Sequence, residues 1–212
     1  MTIKEVYTKY NIPHNLQKHH LTVAKLANLI CSNWKEEELD KDQIIKLCLI
    51  HDLGNIVKFD FEKYPELLGE DINKIEFWKI VKREMIDKYG HEDDIVTSKI
   101  LQELNIDNSL ITKILNKSFG NSLYISECDD WTLKILAYAD FRISPKGVDT
   151  LTNRLSEAMN RIPKYSERTD LLDAATIIEK QIQNKVNISL YHINSRFLEM
   201  FTNTDKLLEI EI

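Results

Sequence analysis

Glycine and proline are scarce in this chain, with five and four residues among 212. A β-rich fold needs more turn residues than this to connect its strands, so the scarcity favours helices. The chain also lacks a Lys/Arg-rich arm, and its formal net charge is −6. An extended nucleic-acid surface needs the opposite charge balance, so we expect none. A local pocket for a small anionic ligand is compatible with this charge.

Cysteine is sparse too: Cys31, Cys48 and Cys128 are odd in number and have no CxxC spacing. Cys31 and Cys48 fall in apolar helical patterns, which predicts buried free thiols and a reducing compartment. No apolar run approaches the roughly 18 residues of a membrane span. The first ten residues, MTIKEVYTKY, contain no apolar signal core. We therefore expect a cytoplasmic protein that makes no membrane contact.

Helical periodicity is what the chain does contain, and hydrophobic residues make up 43% of it, enough for a packed core. Helices are predicted at 3–10, 14–33, 40–51, 72–89, 92–104, 107–117, 130–142, 148–161, 166–184 and 187–201. Residues 59–71 show no clear periodicity and are predicted to form a long loop. We expect one compact all-α domain, with residues 1–147 as its core and 148–212 as a C-terminal helical layer.

Residues at the ends of these segments support the helix boundaries. Asp40 precedes an apolar helical run and is a suitable N-cap, as is either Asp129 or Asp130 for the helix after them. Gly54 and Gly90 each follow a periodic segment, where a left-handed residue is useful.

The helix predicted at 14–33 carries the first residue that could take part in chemistry. Its apolar stripe consists of Leu16, Val23, Leu26 and Ile30. On a helical wheel His19 lies within about 60° of that stripe and is predicted to point inward, whereas His20 is predicted at the edge or in solvent. A buried imidazole needs polar partners. His19 alone is therefore compatible with a hydrogen-bonded core histidine or with a metal ligand.

Two further segments end in residues of the metal-binding type. His51 and Asp52 follow an apolar helix and precede Gly54, so the backbone there can let both side chains converge on one point. Imidazole nitrogen and carboxylate oxygen are normal ligands of Zn²⁺, Fe²⁺ or Mn²⁺. Asp140 shares a helix face with apolar residues, and a buried carboxylate needs a partner or a metal. The alternatives are a loop-capping Asp52, a packed His51 and a surface Asp140.

The order of these segments resembles the HD-domain metal phosphohydrolases. The matching text is HHLTVAKLA from His19, HDLG from His51 and Ala139-Asp140, and the likeness covers roughly residues 14–145. The register selects His19 rather than His20. The resemblance implies an all-α fold whose metal-binding core is residues 1–147. It also implies hydrolysis of phosphomonoesters or phosphodiesters, commonly of nucleotides, and one or two divalent metals (Mn²⁺, Co²⁺, Fe²⁺, Ni²⁺ or Zn²⁺). The implied ligands are His19, His51, Asp52 and Asp140.

The sequence departs from the family pattern at two places. Some relatives have Glu, and others Lys, three residues after the Asp of the doublet, where this chain has Asn55. An Asn can orient a water molecule but is a poor general acid or base. Relatives with two metals have additional histidines, whereas this chain has His91 and then Asn116-Lys117-Ser118. One metal is therefore expected rather than two. His91 is predicted as a second-metal ligand, a proton donor to the leaving group or a solvated residue at a helix start.

The resemblance implies a hydrolase in which Asp52 and His91 are catalytic and a metal activates water. Phosphate contacts are predicted from Lys18, Lys58, Arg142 and Lys146, with Arg142 favoured because its planar guanidinium suits phosphate oxygens. The expected substrate is a small phosphate ester, with a nucleotide as the first choice. The alternatives are a catalytically silent metal-binding regulatory module and, with less support, a di-iron oxygenase. The C-terminal helices could cover the site or form a homodimer contact.

Overall fold

The computed structural model describes residues 1–36, 39–144, 146–201 and 204–212, except the side chains of Leu67 and Phe201. α-Helices dominate these ranges, which confirms the all-α prediction. The helices are α1 (Ile3–Lys9), α2 (His14–Ser32), α3 (Lys41–Ile50), α4 (Ile75–Tyr89), α5 (Asp93–Glu103), α6 (Asn108–Asn116), α7 (Ser122–Glu127), α8 (Trp131–Phe141), α9 (Leu151–Arg161), α10 (Thr169–Lys185), α11 (Ser195–Phe201) and α12 (Thr204–Leu208). No helix within the described ranges is both long and apolar enough to cross a bilayer.

Short elements complete the secondary structure. The 3₁₀ segments are Asn55–Lys58, Pro65–Lys74, Phe119–Asn121, Pro163–Tyr165 and Leu190–His192. Strands β1 (Ile143–Ser144) and β2 (Gly147–Val148) pair antiparallel.

Two predicted segments differ from the structure. The loop predicted at 59–71 contains part of a 3₁₀ segment that is kinked at Gly69, where φ is +54°. The helix predicted at 187–201 is α-helical only from Ser195, because the Asn194 side chain accepts a hydrogen bond from Phe197 N at 3.0 Å and begins a new helix there.

The chain divides into two compact units. The first comprises Met1–Leu21, Leu49–Thr112 and Thr204–Ile212, and the second comprises Thr22–Cys48 and Lys113–Asn203. The predicted boundary between residues 147 and 148 falls inside the second unit.

In the first unit, α1 supports the segment that contains His51. Thr2 and Glu5 form a capping box at its start, and Tyr7 is buried on its inner face. The Tyr7 hydroxyl donates a 2.7 Å hydrogen bond to the carbonyl of Leu49, two residues before His51. Burial raises the pKa of Tyr7, which keeps this donor protonated.

In the second unit, α8 is the helix that carries Asp140. Eight of its eleven residues are buried, and α10 packs against it. Its N-cap is Asp130, whose carboxylate accepts a 3.0 Å hydrogen bond from Leu133 N. Of the two predicted N-cap residues, Asp129 and Asp130, the structure therefore selects Asp130. Asp40 likewise accepts from Gln43 N at 3.0 Å before α3. Both N-cap predictions are confirmed.

Cys31, Cys48 and Cys128 are free thiols, as predicted for the first two. Cys48 is fully buried as predicted, whereas Cys31, which was also predicted to be buried, is partly exposed, as is Cys128. Burial raises the pKa of Cys31 to about 12 and that of Cys48 still more clearly, so both stay protonated at neutral pH.

Candidate metal centre

Helix α2 presents two adjacent histidines, and their burial is the reverse of the helical-wheel prediction. His20 is completely buried, whereas His19 is only partly buried. The apolar stripe of larger residues does not include Ala24 and Ala27, which are also fully buried. These alanines widen the inward arc of α2 until it includes His20. The prediction that His20 lies at the edge or in solvent was therefore wrong.

His20 packs behind His51, and sequence reasoning did not assign it this role. Its ring centroid lies 5.0 Å from that of His51 in an edge-on arrangement, and 5.6 Å from the ring of Tyr7. Edge-to-face packing of rings restricts their rotation. His20 therefore helps to hold the His51 imidazole in place.

The turn after α3 positions His51 and Asp52, and Gly54 makes its path possible. A Cβ atom at Gly54 would lie 2.6 Å from Thr97 N and from the Asp93 carbonyl oxygen, both backbone atoms of α5. Gly54 N also donates a 3.0 Å hydrogen bond to the Thr97 hydroxyl. Its φ is −87°, so the predicted left-handed conformation was wrong. The residue is needed for close approach of two backbones. At Gly90, in contrast, φ is +115° as predicted.

The ring nitrogens of His19 and His51 approach each other closely. The two Nε2 atoms are 3.2 Å apart, and the His51 side chain is fully buried. Ligand atoms of His19, His51 and Asp140 all lie within 4.8 Å of one another. Two nitrogens bound to one Zn²⁺ at about 2.0–2.1 Å with tetrahedral angles would be roughly 3.3 Å apart. The histidine pair therefore fits a divalent cation held with the Asp140 carboxylate as a third ligand.

Asp52 lies beside His51 but is not a member of this group of three. Its Oδ2 is 3.6 Å from His51 Nε2, and the Asn55 amide donates a hydrogen bond to the same oxygen. Asn55 is itself buried, with 7% of its surface exposed. Asn55 thus fixes the orientation of a carboxylate at the edge of the histidine pair.

Lys117 contacts the third ligand, and sequence reasoning did not assign it a function. Its Nζ is 3.6 Å from Oδ2 of Asp140, and only 8% of the residue is exposed. One sequence feature points to Lys117, because Asn116-Lys117-Ser118 stands where the family pattern places histidines. The Asp140 side chain keeps 20% of its surface exposed.

Arg142 does not have the surroundings of a phosphate ligand, which corrects the leading prediction for that role. Its side chain is 1% exposed. The guanidinium donates hydrogen bonds to the Tyr138 hydroxyl and to the carbonyls of Asp149, Leu190 and Ile193, and lies 3.6 Å from a Glu179 oxygen. Because these acceptors use four of its five N–H donors, Arg142 is a structural residue of the second unit.

The other predicted site residues lie at the surface. His91, Lys18 and Lys146 are exposed, and the Lys58 ammonium pairs with Asp93 at 2.7 Å. His91 belongs to no group of three or more potential metal ligands among the residues described. The described residues therefore form no cluster for a second metal around His91.

Comparison with protein families gives one match. A model of the HD domain matches residues 16–140, from the first turn of α2 to the aspartate of α8. No curated protein and no solved structure matches the chain significantly. The matched segment begins just before His19 and ends on Asp140, so it contains every residue of the candidate metal centre.

Proposed function

Because this chain belongs to the HD-domain family, we propose that it is a metal-dependent phosphohydrolase that cleaves a small phosphate ester. The observation that carries the proposal is the group of His19, His51 and Asp140, whose ligand atoms lie within 4.8 Å of one another inside the family match. Asp52 is proposed as the fourth ligand or as a base beside the metal.

Each residue of the site has a role that suits the chemistry of its side chain. The bound metal would lower the pKa of a water molecule and neutralise charge on the phosphoryl oxygens. The imidazoles of His19 and His51 would hold the metal through neutral nitrogen atoms. The Asp52 carboxylate, which Asn55 holds in one orientation, accepts a hydrogen bond from the attacking water and orients it. The Asn55 amide does not ionise near neutral pH, so Asp52 is the residue proposed as the general base.

Exposed cations near the ends of the site-bearing segments remain proposals for substrate binding. Lys18 precedes His19, Lys58 follows the His51 turn and Lys146 follows α8, and all three side chains are solvent-accessible. His91 is proposed as a proton donor to the leaving group rather than as a metal ligand. A nucleotide is the first substrate class to test, because its phosphate offers a charged group for these residues to bind.

One observation supports a second function. Asn55 stands where related enzymes have an ionisable residue, so the chain could retain the fold and the metal as a regulatory module without turnover. The di-iron alternative has less support, because two irons need about six protein ligands and the described residues contain a single group of three.

A substrate panel tests the proposal. Purified protein would be incubated with nucleoside monophosphates and bis(p-nitrophenyl) phosphate in the presence of Mn²⁺, Co²⁺ or Ni²⁺, and phosphate or nitrophenol release would be measured. We expect turnover with at least one combination of substrate and metal ion, and we expect His51→Ala to abolish it. His192→Ala, which removes an exposed histidine of a 3₁₀ segment, is the matched control and should keep full activity. Bound metal without turnover on any ester would contradict hydrolysis and favour the regulatory module.

A further inference from the structure

Two contacts fix Lys117 beside Asp140: one is made by its backbone and the other by its ammonium group. Lys117 directly follows α6, and its N–H donates a 3.3 Å hydrogen bond to the Ile114 carbonyl, which continues the last turn of that helix. Its side chain is 10% exposed and reaches Asp140 Oδ2 at 3.6 Å. A lysine this buried has few rotamers available, so its charge is fixed in position.

A divalent cation changes the electrostatics around this lysine. The Asp140 carboxylate has two roles, because it forms an ion pair with the Lys117 ammonium and is also a candidate metal ligand. A metal on Asp140 would put two like charges close together in a poorly hydrated place, which is unfavourable. An anion in contact with both the metal and the ammonium removes that repulsion.

We propose that Lys117 is a substrate-binding residue that acts as the second cation of the site and contacts a phosphoryl oxygen of the ligand. In two-metal phosphohydrolases the second ion clamps the phosphate from its other side. Here a lysine supplies that positive charge, so the site needs only one metal. The inference rests on the proposed function and adds to it the residue that recognises the phosphate.

Phosphate binding to the metal-loaded protein tests this role without requiring turnover. Inorganic phosphate would be titrated into Mn²⁺-loaded protein by isothermal calorimetry, for the wild type, Lys117→Met and Lys117→Arg. A hydrogen bond between charged groups at a buried site predicts a loss of phosphate affinity of roughly ten- to hundredfold in Lys117→Met. Lys117→Arg keeps the charge and should stay within about threefold of the wild type. Mn²⁺ affinity should rise in Lys117→Met, because a neighbouring positive charge is gone.

Lys113→Met is the matched control. Lys113 lies one turn earlier, on α6, and pairs with Asp130 rather than with a metal ligand. It should leave phosphate affinity unchanged. Should Lys117→Met not fold, Lys117→Gln replaces it, with folding verified by circular dichroism.

Two results would overturn the inference. One is unchanged phosphate affinity in a folded, metal-loaded Lys117→Met or Lys117→Gln variant. The other is wild-type protein that binds Mn²⁺ but no phosphate. Because binding is measured and not catalysis, the inference can succeed even if the substrate panel finds no turnover.

Discussion

Arg142 lies two residues after Asp140, a candidate metal ligand, yet its contacts are those of a buried structural group. Its guanidinium satisfies three backbone carbonyls and a tyrosine hydroxyl in the second unit. Removing a buried charged donor leaves its acceptors without hydrogen-bond partners, and because they are buried, water does not replace the lost bonds.

Arg142→Met should therefore destabilise the protein strongly. We expect the free energy of unfolding, measured by urea denaturation, to fall by about 3–5 kcal/mol. Lys146→Met changes an exposed cation four residues later and should stay within about 0.5 kcal/mol of the wild type. A fully stable Arg142→Met variant with weakened phosphate binding would restore Arg142 as a substrate contact.

Gly54 controls the metal centre through the backbone. Gly54→Ala would place its Cβ 2.6 Å from backbone atoms of α5, which cannot move as a flexible side chain can. We expect a loss of about 1–3 kcal/mol of stability and a displaced His51-Asp52 turn, seen as weaker metal binding. Gly120→Ala is the control, because the nearest atom to its Cβ is the hydroxyl of Tyr165 at 3.1 Å, at the end of a side chain. Equal metal affinity and stability in both variants would contradict this role of Gly54.

At the scale of elements, the 3₁₀ segment Pro65–Lys74 is fixed to the start of α2 by one carboxylate. Asp71 accepts hydrogen bonds from His14 N at 3.2 Å and from its ring Nδ1 at 3.0 Å, and Lys74 lies 3.4 Å away. Burial raises the pKa of Asp71, but the bonds from His14 and Lys74 outweigh it and lower the pKa below its usual 3.8. The charged carboxylate is therefore the form that stabilises the fold.

This pKa shift fixes the pH dependence of Asp71→Asn. The folded-state pKa lies below the unfolded-state value, so the stabilising contribution is complete above about pH 4 and disappears as the pH falls through the lowered pKa. We expect Asp71→Asn to cost about 1–2 kcal/mol at pH 7, with a shrinking difference from the wild type below pH 4. Glu66→Gln, exposed on the same segment, is the control. A difference that grows on acidification would contradict the assignment.

Sequence periodicity predicted long helices well and short ones poorly. α2 and α8 show strong apolar patterns, and both were predicted close to their observed bounds. The short helices α7 and α12, with six and five residues, offer too few turns for a periodic signal. The 3₁₀ segments likewise lack a repeat that a sequence pattern can reveal.

The candidate site was predictable to the extent that its residues follow local rules. His19 and Asp140 lie on helices with an apolar periodicity and His51 directly follows such a helix, so a sequence pattern points to each of them. Their ligand atoms lie within 4.8 Å of one another. The burial of His20 and the contact of Lys117 with Asp140 depend on tertiary packing, which a helical wheel does not contain. Residue type alone favoured Arg142 as a phosphate ligand, whereas its burial depends on acceptors about 50 positions away.

At the scale of the whole molecule, the region beyond the family match supports the metal centre. The match ends at Asp140, and the next turn is held by Arg142, whose acceptors Leu190 and Ile193 lie outside the match. α10 also packs on α8, with the Tyr138 hydroxyl donating to Glu179 at 2.8 Å. The helices that follow the HD domain therefore fix the helix that presents Asp140.

The central claim is that one divalent cation, held by His19, His51 and Asp140, is required for hydrolysis. The most direct test is phosphate release by metal-free protein as Mn²⁺ is added in measured equivalents, with the best substrate of the panel. We predict no release without metal, a rise that saturates near one equivalent per chain, and no response in His51→Ala. Release from the metal-free protein, or an equal response in His51→Ala, would contradict the claim.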